Sequence, residues 1–144
     1  MATLHRSALV MHSAKTMYDL VNDVAAYPQF LPNCADAKVE EQSERYMTGA
    51  IKIAKGGMSK WFTTRNHLCA ANKIEMSLVD GPFKKLSGVW HFEALDEHAC
   101  KVSLDLDFEF SNQLVALAFG KVFSHVANNM VKAFVDRANS LQAS

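Results

Sequence analysis

The chain is poor in several features that would define a function at once. It has three cysteines, Cys34, Cys69 and Cys100, each more than thirty residues from the next. They cannot form a CxxC unit, and an odd count completes no disulfide framework, so a reduced, cytosolic compartment is expected. Three prolines and six glycines punctuate 144 residues without any repeat, linker or low-complexity tract. No apolar run approaches the roughly 18 uninterrupted residues of a membrane span, and the stretch Met1–His12 is too short and interrupted for a secretory core. Neither charge sign dominates: 15 Lys plus Arg face 15 Asp plus Glu. That balance excludes a uniformly basic nucleic-acid binder, and no DNA contact is expected. The six histidines, at positions 5, 12, 67, 91, 98 and 125, show no HExxH or zinc-ligand spacing. Gly-x-Ser-x-Gly and phosphate-loop signatures are missing too, so neither a metal nor a catalytic cofactor is expected.

What remains is ample for one domain over residues 1–144. Surface scaling gives about 7,400 Å² exposed when folded against about 23,000 Å² unfolded. Residues 3–11 read as a first strand. Ser13 then caps a helix carrying Ala14, Met17, Tyr18, Val21, Val24 and Ala25 on one face, closed by Pro28. Extended segments follow at roughly 36–43, 46–54, 59–69, 73–79, 85–95 and 99–110, with bends at Lys55-Gly56-Gly57, Ala71-Asn72 and Asp80-Gly81-Pro82. The last strand alternates strictly between apolar and charged residues, which predicts one wet face. Ser111 or Asn112 caps a final helix to about Leu141, whose stripe of Val115, Phe119, Val122, Phe123, Val126, Met130, Phe134 and Ala138 requires a large apolar surface. An α+β domain follows, in which a curved antiparallel sheet of six or seven strands grips the C-terminal helix.

Three runs carry a resemblance: Tyr27-Pro28-Gln29-Phe30-Leu31-Pro32-Asn33-Cys34, Leu78 to Trp90 around Gly81-Pro82-Phe83, and Met130 to Ala138. The whole chain resembles the coenzyme Q-binding protein and ribosome-association toxin (RatA-type) family of START-like, helix-grip domains. Asn33 stands where members of that family often carry an aromatic residue. The resemblance implies a β-α-α-β6-α fold of START/Bet v 1-like type with an apolar tunnel between sheet and helix. It also implies either binding of ubiquinone or another isoprenoid in support of respiration, or a toxin that binds the large ribosomal subunit and blocks subunit joining. Polyketide cyclases share the fold and supply a third, enzymatic reading.

Two prolines bracket Phe30 and Leu31, which makes these residues candidates for a tunnel rim, with fastening of the first helix to the sheet as the plainer alternative. Trp61, Phe83, Leu86, Trp90, Phe119, Phe123 and Met130 are candidates for the tunnel wall, although aromatic stripes are more often simple core. His67 and Arg65 share strand parity with Trp61 and are expected to offer hydrogen bonds to a quinone carbonyl. His91 has the parity of a solvent-facing residue.

Counted by segment, the zero charge dissolves. Residues 45–73 carry six cations and no anion, whereas residues 74–111 carry three cations and eight anions. In the basic hairpin, Lys52, Lys55 and Lys60 are candidates for contact with phosphate, in ribosomal RNA or in anionic membrane headgroups, with a solvated sheet face as the alternative. Met58 and Trp61 beside them suit membrane insertion. The leading expectation is a carrier for a long apolar ligand, ubiquinone or its isoprenoid tail, that needs no reaction and visits the inner membrane surface only peripherally. Ribosome association is the runner-up.

Overall fold

The computed structural model describes residues 2–143. Its chain order is β1 (Ala2–Val10), α1 (Ala14–Asn22), a 3-10 helix (Val24–Gln29), β2 (Cys34–Gln42), β3 (Tyr46–Lys55), β4 (Met58–Cys69), β5 (Lys73–Asp80), β6 (Phe83–Asp96), β7 (Ala99–Phe110) and α2 (Gln113–Ala143). The strands form one antiparallel sheet in the order β1-β7-β6-β5-β4-β3-β2. This is the helix-grip arrangement, with α2 lying in the concave side, and the exposed surface of 7829 Å² is close to the scaling expectation.

The Ser13 hydroxyl accepts from the Thr16 amide at 3.1 Å, which fixes the start of α1. The helix does not run to Pro28 as the sequence pattern predicts. It ends at Asn22, and Pro28 lies inside the separate 3-10 helix. Proline lacks a backbone N–H and its ring crowds the carbonyl four residues earlier in an α-helix, so a short 3-10 turn tolerates it where a continuing α-helix would not. Asn112 caps α2 by accepting from the Val115 amide at 2.9 Å.

Asn33 has φ 63°, the one non-glycine residue in the left-handed region among the described residues. Its side-chain amide donates to the Ala54 carbonyl at 3.2 Å, and its own carbonyl accepts from the Ala54 amide at 2.9 Å. Asparagine tolerates this backbone better than other side chains, so position 33 turns the chain into β2.

Two aromatic clusters fill the concave side. Phe62, Phe83, Phe108, Phe110, Phe119 and Phe123 interlock at one end. Tyr18, Tyr27, Phe30, Trp90, Phe92 and Phe134 interlock at the other. No ring contact joins the two clusters among the described residues, and the gap between them becomes the site.

Candidate functional site

Between the clusters lies a cavity of about 60 Å³. Its floor is the inward side of β3 and β4, including Ile51, Ile53, Phe62, Thr64 and Asn66. Phe123, Val126 and Met130 of α2 roof it, and Tyr27 and Leu31 close one side. Small-ligand sites usually have about 300–1,000 Å³, so this conformation holds only a fragment of one. The Tyr27 hydroxyl donates to the Val21 carbonyl. Burial pushes its ionisation far above the ordinary phenol range, so it remains a neutral donor already in use.

Two polar side chains interrupt the apolar wall. The Thr64 hydroxyl donates to Asn66 Oδ1 at 2.9 Å. Asn66 is only 7% exposed, and its Nδ2 has no acceptor among the described residues. Nδ2 is not sealed from its surroundings, so it stays open to water or to a ligand oxygen in the cavity. This donor points the cavity toward a ligand with a carbonyl or ether oxygen on an apolar body.

The structure sorts the expected site residues into three groups. Leu31, Leu86, Trp90, Phe123 and Met130 do line the cavity. Phe30, Phe83 and Phe119 do not. Phe83 and Phe119 are interior members of the first aromatic cluster. Phe30 is half-buried outside the cavity, packed on Tyr27 and Phe134 with the Arg137 guanidinium 5.2 Å from its ring centre. Trp61, Arg65 and His67 are on the opposite, convex face of the sheet. In β4 the inward set is Phe62, Thr64, Asn66 and Leu68, whereas Trp61 is 39% exposed. The expectation took its parity from the largest apolar residue. The charge at Arg65 is the better guide, because burying an unpaired guanidinium costs more than exposing an indole. Read that way, the alternation would have found Thr64 and Asn66.

At the hairpin tip, Gly56 and Gly57 have φ 59° and 84°, which lets β3 turn directly into β4. Lys55 and Lys60 are exposed there, and Lys52 is half-buried, directly across from Trp61. None of the three has an ion-pair partner among the described residues. Met58 does not protrude for membrane insertion; it packs against the core.

Burial raises the Cys34 thiol to about 11 and also pushes Cys100 upward. Both are inert neutral thiols in the interior, and Cys34 packs beside Tyr27 as a fastening of the 3-10 segment to β2.

Residues 10–135 match the family described as polyketide cyclase / dehydrase and lipid transport. The chain belongs to this family. Within it, the chain is 54% identical over 141 residues to the ribosome association toxin RatA of Vibrio cholerae, covering 98% of each sequence. The mitochondrial coenzyme Q-binding protein coq10 of Schizosaccharomyces pombe is 27% identical, with 92% of this chain and 84% of that protein aligned. Among solved structures, the Zhui aromatase/cyclase of a Streptomyces species superposes with a TM-score of 0.83 at 17% identity, covering 96% of this chain and 93% of that one. At such identity the last likeness concerns the fold alone.

Proposed function

We propose that the chain is a ribosome-associating protein of the RatA type that acts by binding, at the large subunit, and performs no reaction. The observation that carries this reading is the 54% identity to a ribosome association toxin across 98% of both sequences, twice the identity to the coenzyme Q-binding relative. The unpaired cations of the β3–β4 hairpin support it, because phosphate contact calls for cations without internal partners. The non-enzymatic part rests on the cavity chemistry: its polar groups are an alcohol, an amide and a phenol that stays neutral, with no nucleophile beside a base. A ribosomal partner places the protein in the cytoplasm. Sedimentation of a lysate through sucrose tests the proposal. The protein should travel with large subunits, and overexpression should deplete joined ribosomes; a protein that stays at the top of the gradient overturns it.

A second reading keeps the cavity in use: ubiquinone or another isoprenoid bound with an oxygen on Asn66. It is favoured by the unpaired Nδ2, and burial of a polyprenyl chain at about 25 cal/mol per Å² supplies the affinity once the two aromatic clusters part. Organic extraction of the purified protein followed by mass spectrometry checks it. A co-purifying quinone that disappears in Asn66→Leu supports this reading, and an extract without isoprenoid removes it.

A further inference from the structure

We propose that the convex face of β3 and β4 is a stacking platform for unpaired RNA nucleotides, and that Trp61, Tyr46 and Arg65 contact the bases. The inference rests on the ribosome reading and names the surface through which it would operate.

Trp61 and Tyr46 are 39% and 40% exposed on a face whose other residues are mostly small or charged. Each ring is held among cations. Lys38 Nζ stands 5.1 Å from the Trp61 ring centre, and Lys52 lies directly across from Trp61 in the strand register. The Arg65 guanidinium stands 4.4 Å from the Tyr46 ring centre, and the His67 imidazole stacks on Tyr46 at 5.0 Å with a 21° tilt. From Trp61 to His67 the strand runs about 20 Å, room for several nucleotides of an extended strand.

The surrounding charges leave cations available. Glu40 is 3.9 Å from Lys38, and Glu75 is 2.7 Å from Lys73 and 3.9 Å from His67. Asp36 lies opposite Lys52 in the register. Yet neither Lys52 nor Arg65 forms an ion pair among the described residues. Beside Tyr46 and Arg65 a cleft of about 410 Å³ is lined by Glu41, Gln42, Ser43 and Thr48. The Tyr46 ring is already covered by Arg65 and His67, so a base entering the cleft meets the Arg65 guanidinium and side chains able to reach its polar edge.

Ring faces flanked by cations on an open sheet face suit bases, which stack on aromatics with little sequence preference. A lipid surface would call for protruding aliphatic groups, and the exposed ones, including Val39 of β2 and Val79 of β5 on the neighbouring strands, lie outside β3 and β4.

The chain's two tryptophans make the test direct, because Trp90 is 1% exposed and a change in accessible fluorescence reports Trp61. Single-stranded oligouridylate added to the purified full chain should quench that fluorescence and shield it from acrylamide, a readout that needs no substitution. Trp61→Ala and Tyr46→Ala should each weaken binding about tenfold, both to the oligonucleotide and to isolated ribosomes. Trp61→Phe, which keeps a ring, should retain affinity. Lys52→Gln, which removes a phosphate contact, should flatten the salt dependence by about 0.7 in log–log slope. Wild-type ribosome binding by the two alanine variants overturns the platform and leaves the ribosome reading standing. Oligonucleotide quenching with the same ranking of variants, but no ribosome binding, supports the platform and removes the ribosome reading. A Trp61 blue shift on phosphatidylglycerol vesicles with no response to RNA overturns it in favour of a membrane surface.

Discussion

The two faces of β4 are built from one run of residues and have opposite chemistry. Inward, Phe62, Thr64, Asn66 and Leu68 meet the long helix around a small cavity. Outward, Trp61, Thr63, Arg65 and His67 form a cationic and aromatic surface. A strand gives adjacent residues to opposite sides, so a protein can carry an apolar-ligand chamber and a polyanion-binding surface in the same segment. The difference teaches that an apolar cavity bears on the first face alone. The second is free to serve another partner.

The widest separation between the faces should appear in stability. Trp90→Ala removes the largest fully buried side chain, from the centre of the second aromatic cluster, and should cost about 3–5 kcal/mol in urea unfolding. Trp61→Ala on the outer face should cost less than about 1 kcal/mol. Equal losses would erase the distinction between a core face and a binding face.

The interior should also respond to alkali. The Cys34 thiol is raised to about 11 from an ordinary value of 9.0, chiefly by burial, and Tyr27 is raised further for the same reason. For a raised acid the neutral form is favoured in the folded state, so the stabilisation is intact below the unfolded value and fades as the pH climbs through the folded one. The urea midpoint should therefore hold steady to about pH 9 and fall between there and about pH 11. Cys34→Ala should make that fall shallower, and an unchanged profile would assign it elsewhere.

Replacing Thr64 and Asn66 together by Val and Leu should leave stability unchanged or raise it by about 1 kcal/mol, because both partners of a buried polar pair vanish at once. The same double variant should bind ribosomes like wild type if the faces are independent; a loss would show that the chamber and the outer surface are coupled. The smallest effect is expected at Glu75, half-exposed on the outer face and held below the usual carboxylate range by Lys73. Glu75→Gln should leave the urea midpoint where it is, since exposed pairs contribute little.

The architecture was largely readable from periodicity. The alternation of β7, the stripe of α2 and the glycine turn at Gly56 locate elements within a few residues of where they lie. Five wall residues were legible because they are large and apolar, but so are Phe83 and Phe119, and residue type alone does not separate a cavity wall from the packing beside it. That distinction depends on where two aromatic clusters stop short of each other, a three-dimensional accident of ring placement. The end of α1 at Asn22 escaped because the apolar pattern continues through the 3-10 helix. Asn66 escaped because an amide signals nothing by itself; its importance comes from a parity that Arg65 indicates and Trp61 obscures.

One topological detail bears on when this molecule becomes itself. β1 is an edge strand whose sole partner is β7, with Ala2 opposite Phe108 and Val10 opposite Cys100. The β1 segment thus waits for β7, the last strand of the sheet, and α2, which covers the inner face, follows β7 in the chain. Contacts this distant along the chain slow folding. Until β7 is in place the sheet cannot take in β1, so the grip on α2 closes in a late step that joins elements far apart in the chain.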